Sequence, residues 1–195
     1  MALDLLISEF NSYLRDQQLP VSDRLNLGLE RSVVEDVFDS LGIDSPDDLI
    51  NLYCYQNGTK TSEADLLEDI YVIPGYYWLS LNDVKEVYQA ISPHPTWDLD
   101  WVPIFATGGG DFYAVICRRG ADFGAVVQFT NGEPEQVVEF ESLESFFRYI
   151  ALCFKDGAFF VDDGFIEEDP DESVQVMKDL QNEKFQIHSV AQARY

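Results

Sequence analysis

Apolar residues recur at helical spacing from the start of the chain. Leu3, Leu6, Ile7, Phe10 and Leu14 share one face and predict a helix over residues 2–16, closed off by Pro20. Residues 17–27 carry no such period and read as a linker. A second stripe, Val33, Val34, Val37, Phe38 and Leu41, predicts a helix over about 29–41. Gly42 follows it, where a left-handed terminal residue is wanted. Ser45-Pro46-Asp47-Asp48 opens a third helix. Ser45 can cap, Pro46 suits the first turn, and the two acids complement the helix dipole. This helix carries Leu49, Ile50 and Tyr53 and is expected to end near Asn57-Gly58.

Residues 59–69 are polar and acidic and read as a loop. Ile70–Ile73 and Tyr76–Leu79 then read as paired strands around a Pro74-Gly75 turn. Ser80 with Asp83 has the pattern of a capping box and starts a helix through Ile91, whose buried stripe is Val84, Val87, Tyr88 and Ile91. Ser92-Pro93-His94-Pro95 breaks that helix. Strands are expected over 101–106, 111–117, 124–129 and 136–140. Their turns are Thr107-Gly108-Gly109-Gly110, Arg119-Gly120 with Asp122, and Asn131-Gly132. Short turns between consecutive strands argue for an antiparallel meander. Ser142 caps a helix carrying Leu143, Phe146, Phe147, Ile150 and Phe154, ended by Gly157. Beyond it lie a short apolar stretch, an acidic run and one more helix after Asp169-Pro170, using Val174, Met177 and Leu180.

The fold expected from this order is α+β, a central and mainly antiparallel sheet of about four to six strands flanked by helices. Residues 1–23 supply a helix packed on the core, 24–154 the α+β domain, and 155–195 an acidic C-terminal extension with one helix.

Charge changes the picture more than composition does. The 195 residues include 36 acids and 12 bases, a net charge of −24. That field repels phosphate, so neither nucleic acid nor an anionic membrane is an expected partner. It favours a cationic protein or a metal. No apolar stretch approaches the length of about 18 residues that a membrane span needs. The N-terminus carries Asp4 and Glu9 and no cationic region, unlike a signal peptide. Cys54, Cys117 and Cys153 are odd in number and widely spaced, which indicates neither a disulfide framework nor a zinc site and suggests a cytoplasmic address.

Enzymatic motifs are scarce, and no cofactor is expected. His94 and His188 lack a histidine at i+3 or i+4, so a zincin-like site is out. Flanking prolines make His94 an exposed loop residue. Gly108-Gly109-Gly110 lacks the Lys-Ser/Thr of a phosphate loop and reads as a tight turn. Asp162-Asp163-Gly164 suggests a calcium loop, but with Gly164 at the sixth position an acid is needed where Phe159 stands. Carboxylate pairs are too common in this chain for any one of them to indicate acid-base catalysis.

The acids are unevenly spread. Asp162, Asp163, Glu167, Glu168, Asp169, Asp171 and Glu172 fall between Gly157 and Glu172 with no Lys or Arg among them. Charge runs are commonly solvated faces, but crowded like charges also destabilise a domain, which favours a surface kept for a cationic partner. Trp78 and Trp101 sit in strand-like context and read as core. Trp97, among prolines and acids, is expected to be exposed, and exposed aromatics beside carboxylates anchor Lys or Arg well. The candidate partner-binding residues are therefore Asp98, Asp100, Asp162, Asp163, Glu167, Glu168 and Asp169, with Tyr76 and Trp97. No catalytic residue and no metal ligand is assigned.

The order of motifs carries a resemblance. Asn57-Gly58 is followed by Trp78-Leu79-Ser80-Leu81, Trp101-Val102-Pro103-Ile104 and Gly109-Gly110-Asp111-Phe112-Tyr113. Then come Gly124-Ala125-Val126-Val127-Gln128-Phe129 and Ser142-Leu143-Glu144-Ser145-Phe146-Phe147. Over roughly residues 24–154 this resembles the SUKH superfamily of fungal cell-wall-assembly regulators and bacterial immunity proteins. The resemblance implies an α+β fold and binding rather than catalysis, with no catalytic motif to carry over. It implies as function the neutralisation of a cationic, nuclease-type toxin. The alternative is a regulatory scaffold that binds an endogenous protein, and a remote one is a metal-dependent hydrolase.

Overall fold

In a computed structural model, local chemistry sets where most elements begin and end. The structure describes residues 2–62 and 65–192, and side chains as far as residue 182. His188 therefore lies outside the described side chains. The elements run α1 (Leu3–Asp16), β1 (Leu25–Leu27), α2 (Arg31–Leu41), α3 (Asp47–Tyr55), β2 (Gln56–Thr59), β3 (Tyr77–Trp78) and α4 (Leu81–Ile91). They continue with β4 (Trp101–Ala106), β5 (Phe112–Ile116), β6 (Val126–Phe129), β7 (Val137–Phe140), α5 (Leu143–Asp156), β8 (Phe159–Asp162), β9 (Phe165–Glu168) and α6 (Pro170–Gln192).

The two capping boxes form. Ser80 accepts from the Asp83 amide while the Asp83 carboxylate accepts from the Ser80 amide, and Ser142 and Ser145 reciprocate in the same way at α5. Gly42 and Gly157 close α2 and α5 in the left-handed region. At α3 the cap position belongs to Pro46, and Ser45 makes no capping bond.

The chain is α+β. Strands β3-β4-β5-β6-β7 form one antiparallel sheet in sequence order. The β4–β5 turn needs positive φ at Gly108 (+78°) and Gly110 (+101°), and the Thr107 hydroxyl holds it by accepting from the Gly109 amide at 3.0 Å.

The sheet has two differently covered faces. On one, Phe105, Tyr113 and Phe140 meet Phe146 of α5 at ring separations of 5.5, 4.9 and 5.1 Å. Phe147 touches Trp78 of the sheet at 5.7 Å and also reaches Phe10 of α1 at 6.1 Å, so α1 packs against α5 beside the sheet. On the opposite face Phe112 and Phe129 pack under Trp97.

Several expectations change. The segment read as a linker contains a 3-10 turn (Pro20–Arg24) and β1, which pairs with β2 across the end of α3. Helix α3 therefore stops at Tyr55, before Asn57-Gly58. Strand β2 also runs close beside the end of β3, where a Cβ at Gly58 would collide with the Leu79 carbonyl. The hairpin expected at 70–79 is reduced to an isolated Ile73–Tyr76 bridge, because β3 pairs with β4 instead and Ile70 ends a 3-10 turn. Val33 of α2 and Val174 of α6 lie outside their buried stripes, which run through Val34 and Phe38 and through Ser173, Val176 and Leu180. The extension past Gly157 holds a two-stranded hairpin, β8–β9, before its helix.

Candidate functional site

The β8–β9 hairpin rearranges the acidic run. Asp162 pairs with Phe165, so Asp163-Gly164 is a two-residue turn, with φ of +47° and +87°. This is the Asp-Gly geometry that suits the twist of a hairpin. Alternation then separates the side chains. Phe160, Asp162, Phe165 and Glu167 share the outer face; Phe159, Val161, Ile166 and Glu168 share the inner one. Phe160 and Phe165 are 40% and 39% exposed, an aromatic pair flanked by carboxylates.

The other acids of the run do different things. Asp169 caps α6: its Oδ1 accepts from the amides of Asp171 at 3.0 Å and Glu172 at 3.2 Å. Glu168 accepts from the Ser173 hydroxyl at 2.5 Å. Only Asp162, Asp163 and Glu167 of the five expected carboxylates stay on the outer side and tip of the hairpin.

Asp98 and Asp100, expected to meet a partner, are already ion-paired within the chain. Arg118, at the end of β5, lies 2.5 Å from Asp98 Oδ2 and donates to Asp100 Oδ2 at 2.9 Å. Arg119 pairs in the same way with Asp44. Trp97 is corrected too: only 6% exposed, it packs edge-on against Trp101, Phe112 and Phe129 as a core residue. Its polar sequence neighbours belong to the loop that carries it. Trp101, read as core, is half-buried, and His94 lies edge-on to Phe129 at 5.5 Å rather than free in solvent.

Tyr76 and Glu168, far apart in the chain, meet at one cavity of about 280 Å³. It opens between the sheet, α5, the hairpin and the start of α6. Tyr113 of β5, Glu139 of β7 and Tyr149 of α5 complete its polar wall. The rings of Tyr76 and Tyr113 lie 4.8 Å apart, and Gln128 donates to the Tyr76 hydroxyl at 3.4 Å.

Gln128, which lines the cavity, pairs with Val137, so alternation along β7 already turns Glu139 to this side, and a bulge brings Phe140 to the same side. Val126 pairs with Phe140 and Val127 with Val138, which leaves Glu139 as the extra residue. Strict alternation would put Glu139 and Phe140 on opposite faces. Here Phe140 packs on α5 while Glu139 lines the cavity on that side. Burial pushes the Glu139 carboxyl above its ordinary value, and the nearby Glu168 charge adds to the shift; a hydrogen bond with Tyr113 opposes it. Burial also raises the Tyr76, Tyr113 and Tyr149 hydroxyls, so these are neutral hydroxyls at physiological pH.

The two buried thiols are held in their neutral form. Burial pushes the Cys153 thiol to about 12, and Cys117 also rises for the same reason. Among the described residues no group of three or more His, Cys, Asp or Glu side chains is placed to hold a metal ion. No described helix is long and apolar enough to cross a membrane.

Residues 30–149, more than half of the chain, match the family model described as SMI1 / KNR4 family (SUKH-1). A search of curated proteins finds no match.

Proposed function

The chain belongs to the SMI1 / KNR4 family (SUKH-1), and from that premise we propose that it is a non-catalytic module that binds a basic protein. The partner in this reading is a nuclease-type toxin domain, and the chain is its cytoplasmic immunity protein. The observation that carries the proposal is the outer face of the β8–β9 hairpin, where Phe160 and Phe165 stand among Asp162, Asp163 and Glu167 with no base between Gly157 and Glu172. A nuclease must hold phosphate and is therefore cationic around its active site. Carboxylates presented to that surface raise the association rate, and a pair of aromatic rings supplies area that excludes water. Family membership supports the absence of catalysis.

The test is a variant with Asp162→Lys, Glu167→Lys and Asp163→Asn; Asn tolerates the left-handed turn position. Basic proteins encoded beside this reading frame would be co-expressed and captured, and association rates compared at low and high salt. Association of the variant should slow at least about tenfold at low salt and approach the wild-type rate at high salt, as expected for rim charges. An unchanged rate and salt slope would make the hairpin a solvated face.

A further inference from the structure

The cavity beside the hairpin has a composition that packing alone does not explain. Two tyrosine rings, Tyr76 and Tyr113, pack against one another at its wall, tilted by 43° with their centroids 4.8 Å apart. Two carboxylates, Glu139 and Glu168, arrive from strands of different sheets, and among the described residues no Lys or Arg lines the space. A half-buried carboxylate with no cation beside it costs stability. Glu139 of β7 nevertheless lines the cavity, on the same side of the sheet as Gln128.

We infer that this cavity is a receptor for one cationic side chain, a lysine ammonium or an arginine guanidinium, presented by a partner protein. The Tyr76 and Tyr113 rings would take the stem or the guanidinium plane, and the Glu139 and Glu168 carboxylates would take the charge. Three observations favour this occupant over others. At about 280 Å³ the space lies at the lower edge of the range for small-molecule sites, which suits one side chain better than a cofactor. Tyrosine faces attract cations and are indifferent to anions, and the two carboxylates repel an anion outright. An apolar occupant would bury both carboxylates unpaired.

The walls also say how the receptor is made. Tyr113, Gln128 and Glu139 come from the sheet of the matched domain, whereas Glu168 and Met177 come from the C-terminal extension. The hairpin that bears the acidic outer face thus closes the cavity with its inner face. A basic surface docking on the hairpin has a socket for one side chain within reach. The inference rests on the proposed function only for the source of the cation.

The test uses the full chain with ring-labelled tyrosine, followed by NMR, with tyrosine signals assigned from single Tyr→Phe variants. The probes are acetyl-Gly-Arg-Gly-amide and its Lys counterpart, with the norleucine peptide and spermidine as comparisons. The Tyr76, Tyr113 and Tyr149 signals should move with the Arg or Lys peptide, half-saturating in roughly the millimolar range of a single contact. Glu139→Gln, which keeps the shape of the side chain, should weaken the response about tenfold, and Glu168→Gln, which can still accept from Ser173, should weaken it similarly. Unchanged signals of Tyr53 and Tyr88, which lie away from the cavity, show that each variant is folded.

Silent rings, an equal response to norleucine, or undiminished binding by Glu139→Gln would overturn the inference. Spermidine binding more than about tenfold tighter than either peptide would overturn the protein source in favour of a free polyamine. Failure here is separable from failure of the proposed function. Silent rings together with a salt-sensitive effect of the hairpin reversal would remove the socket and leave the basic partner in place.

Discussion

Helix α5 packs on the same sheet face at two places, and the two places are built differently. Around Phe105, Phe146 and Phe147 every ring is fully buried, and Trp78 stacks on Phe105 at 5.5 Å to complete the cluster. Around Tyr113, which pairs with Phe105 from the next strand, and Tyr149, two or three residues further along α5, the same kind of contact is made by rings with hydroxyls, and a cavity of about 280 Å³ is left open. Sheet and helix are continuous through both. The difference is side-chain chemistry: phenylalanine fills the first site to the density of a protein interior, while tyrosine and glutamate hold the second apart. One end is committed to stability, and the other is the end proposed to bind.

The largest expected effect tests the first end. Phe147→Ala should cost about 3–5 kcal/mol, because the ring is fully buried between α1, α5 and the sheet and the space cannot collapse easily. Tyr76→Ala, at the cavity, should cost about 1 kcal/mol, since its ring is only half-buried and borders open space. Urea titrations of both variants measure the contrast. Equal losses would mean that the cavity end is as much a part of the core as the phenylalanine end.

A smaller effect comes from the titration of Glu139. Its folded-state pKa lies above its ordinary value of 4.5, so the folded protein binds this proton more tightly than the unfolded chain. The stabilisation from protonation is complete below about 4.5 and is lost as the pH rises through the folded value. Glu139→Gln has no such loss. The variant should therefore gain on the wild type as pH rises from 4 toward 7 and hold that gain above it, measured by urea titration at each pH. A stability difference that is flat with pH would show that the carboxyl is better solvated than its position at the bulge implies. No such dependence is expected for Phe147→Ala.

Much of the phenylalanine end is legible in the amino-acid order, and little of the cavity end is. Phe146, Phe147, Ile150 and Phe154 repeat at helical spacing after a serine cap, and the glycines at 108 and 110 and the Asn131-Gly132 pair mark the meander. These are local signals. The cavity depends on events that are not local. A bulge at Glu139 has no signature in Val137-Val138-Glu139-Phe140, whose plain alternation points Glu139 away from Phe140's side. Arg118 at the end of β5 bridges Asp98 and Asp100 ahead of β4, a pairing that charge runs do not reveal. Trp97 is drawn inward by Phe112 and Phe129, whatever its neighbours are. Strands β1 and β2 are too short, and too polar at Gln56-Asn57-Gly58-Thr59, to show a period. One signal was available and outweighed by acidity: Asp163-Gly164 between two apolar-rich tetrapeptides is a two-residue hairpin turn, and reading it as such separates the inner Glu168 from the outer Glu167.

The smallest effect concerns the charge that both ends share. A net charge of −24 on one chain is self-repulsive, and salt screens such repulsion beyond a Debye length of about 8 Å at physiological ionic strength. Raising NaCl from dilute buffer to several hundred millimolar should therefore raise the melting temperature of the wild type by a few degrees, roughly the shift that 1 kcal/mol produces in a domain of this size. The hairpin reversal removes negative charge where the acids are densest, so its melting temperature should start higher and rise less with salt. Glu139→Gln should respond to salt almost as the wild type does, because half-buried charges are screened less than exposed ones. Ion pairs such as Arg118 with Asp98 act in the opposite sense, since salt weakens them. A melting temperature that falls with salt in the wild type would show that these pairs outweigh the repulsion. The acidic face would then have no strain to relieve by meeting a basic partner, and the aromatic pair at Phe160 and Phe165 would have to supply the affinity.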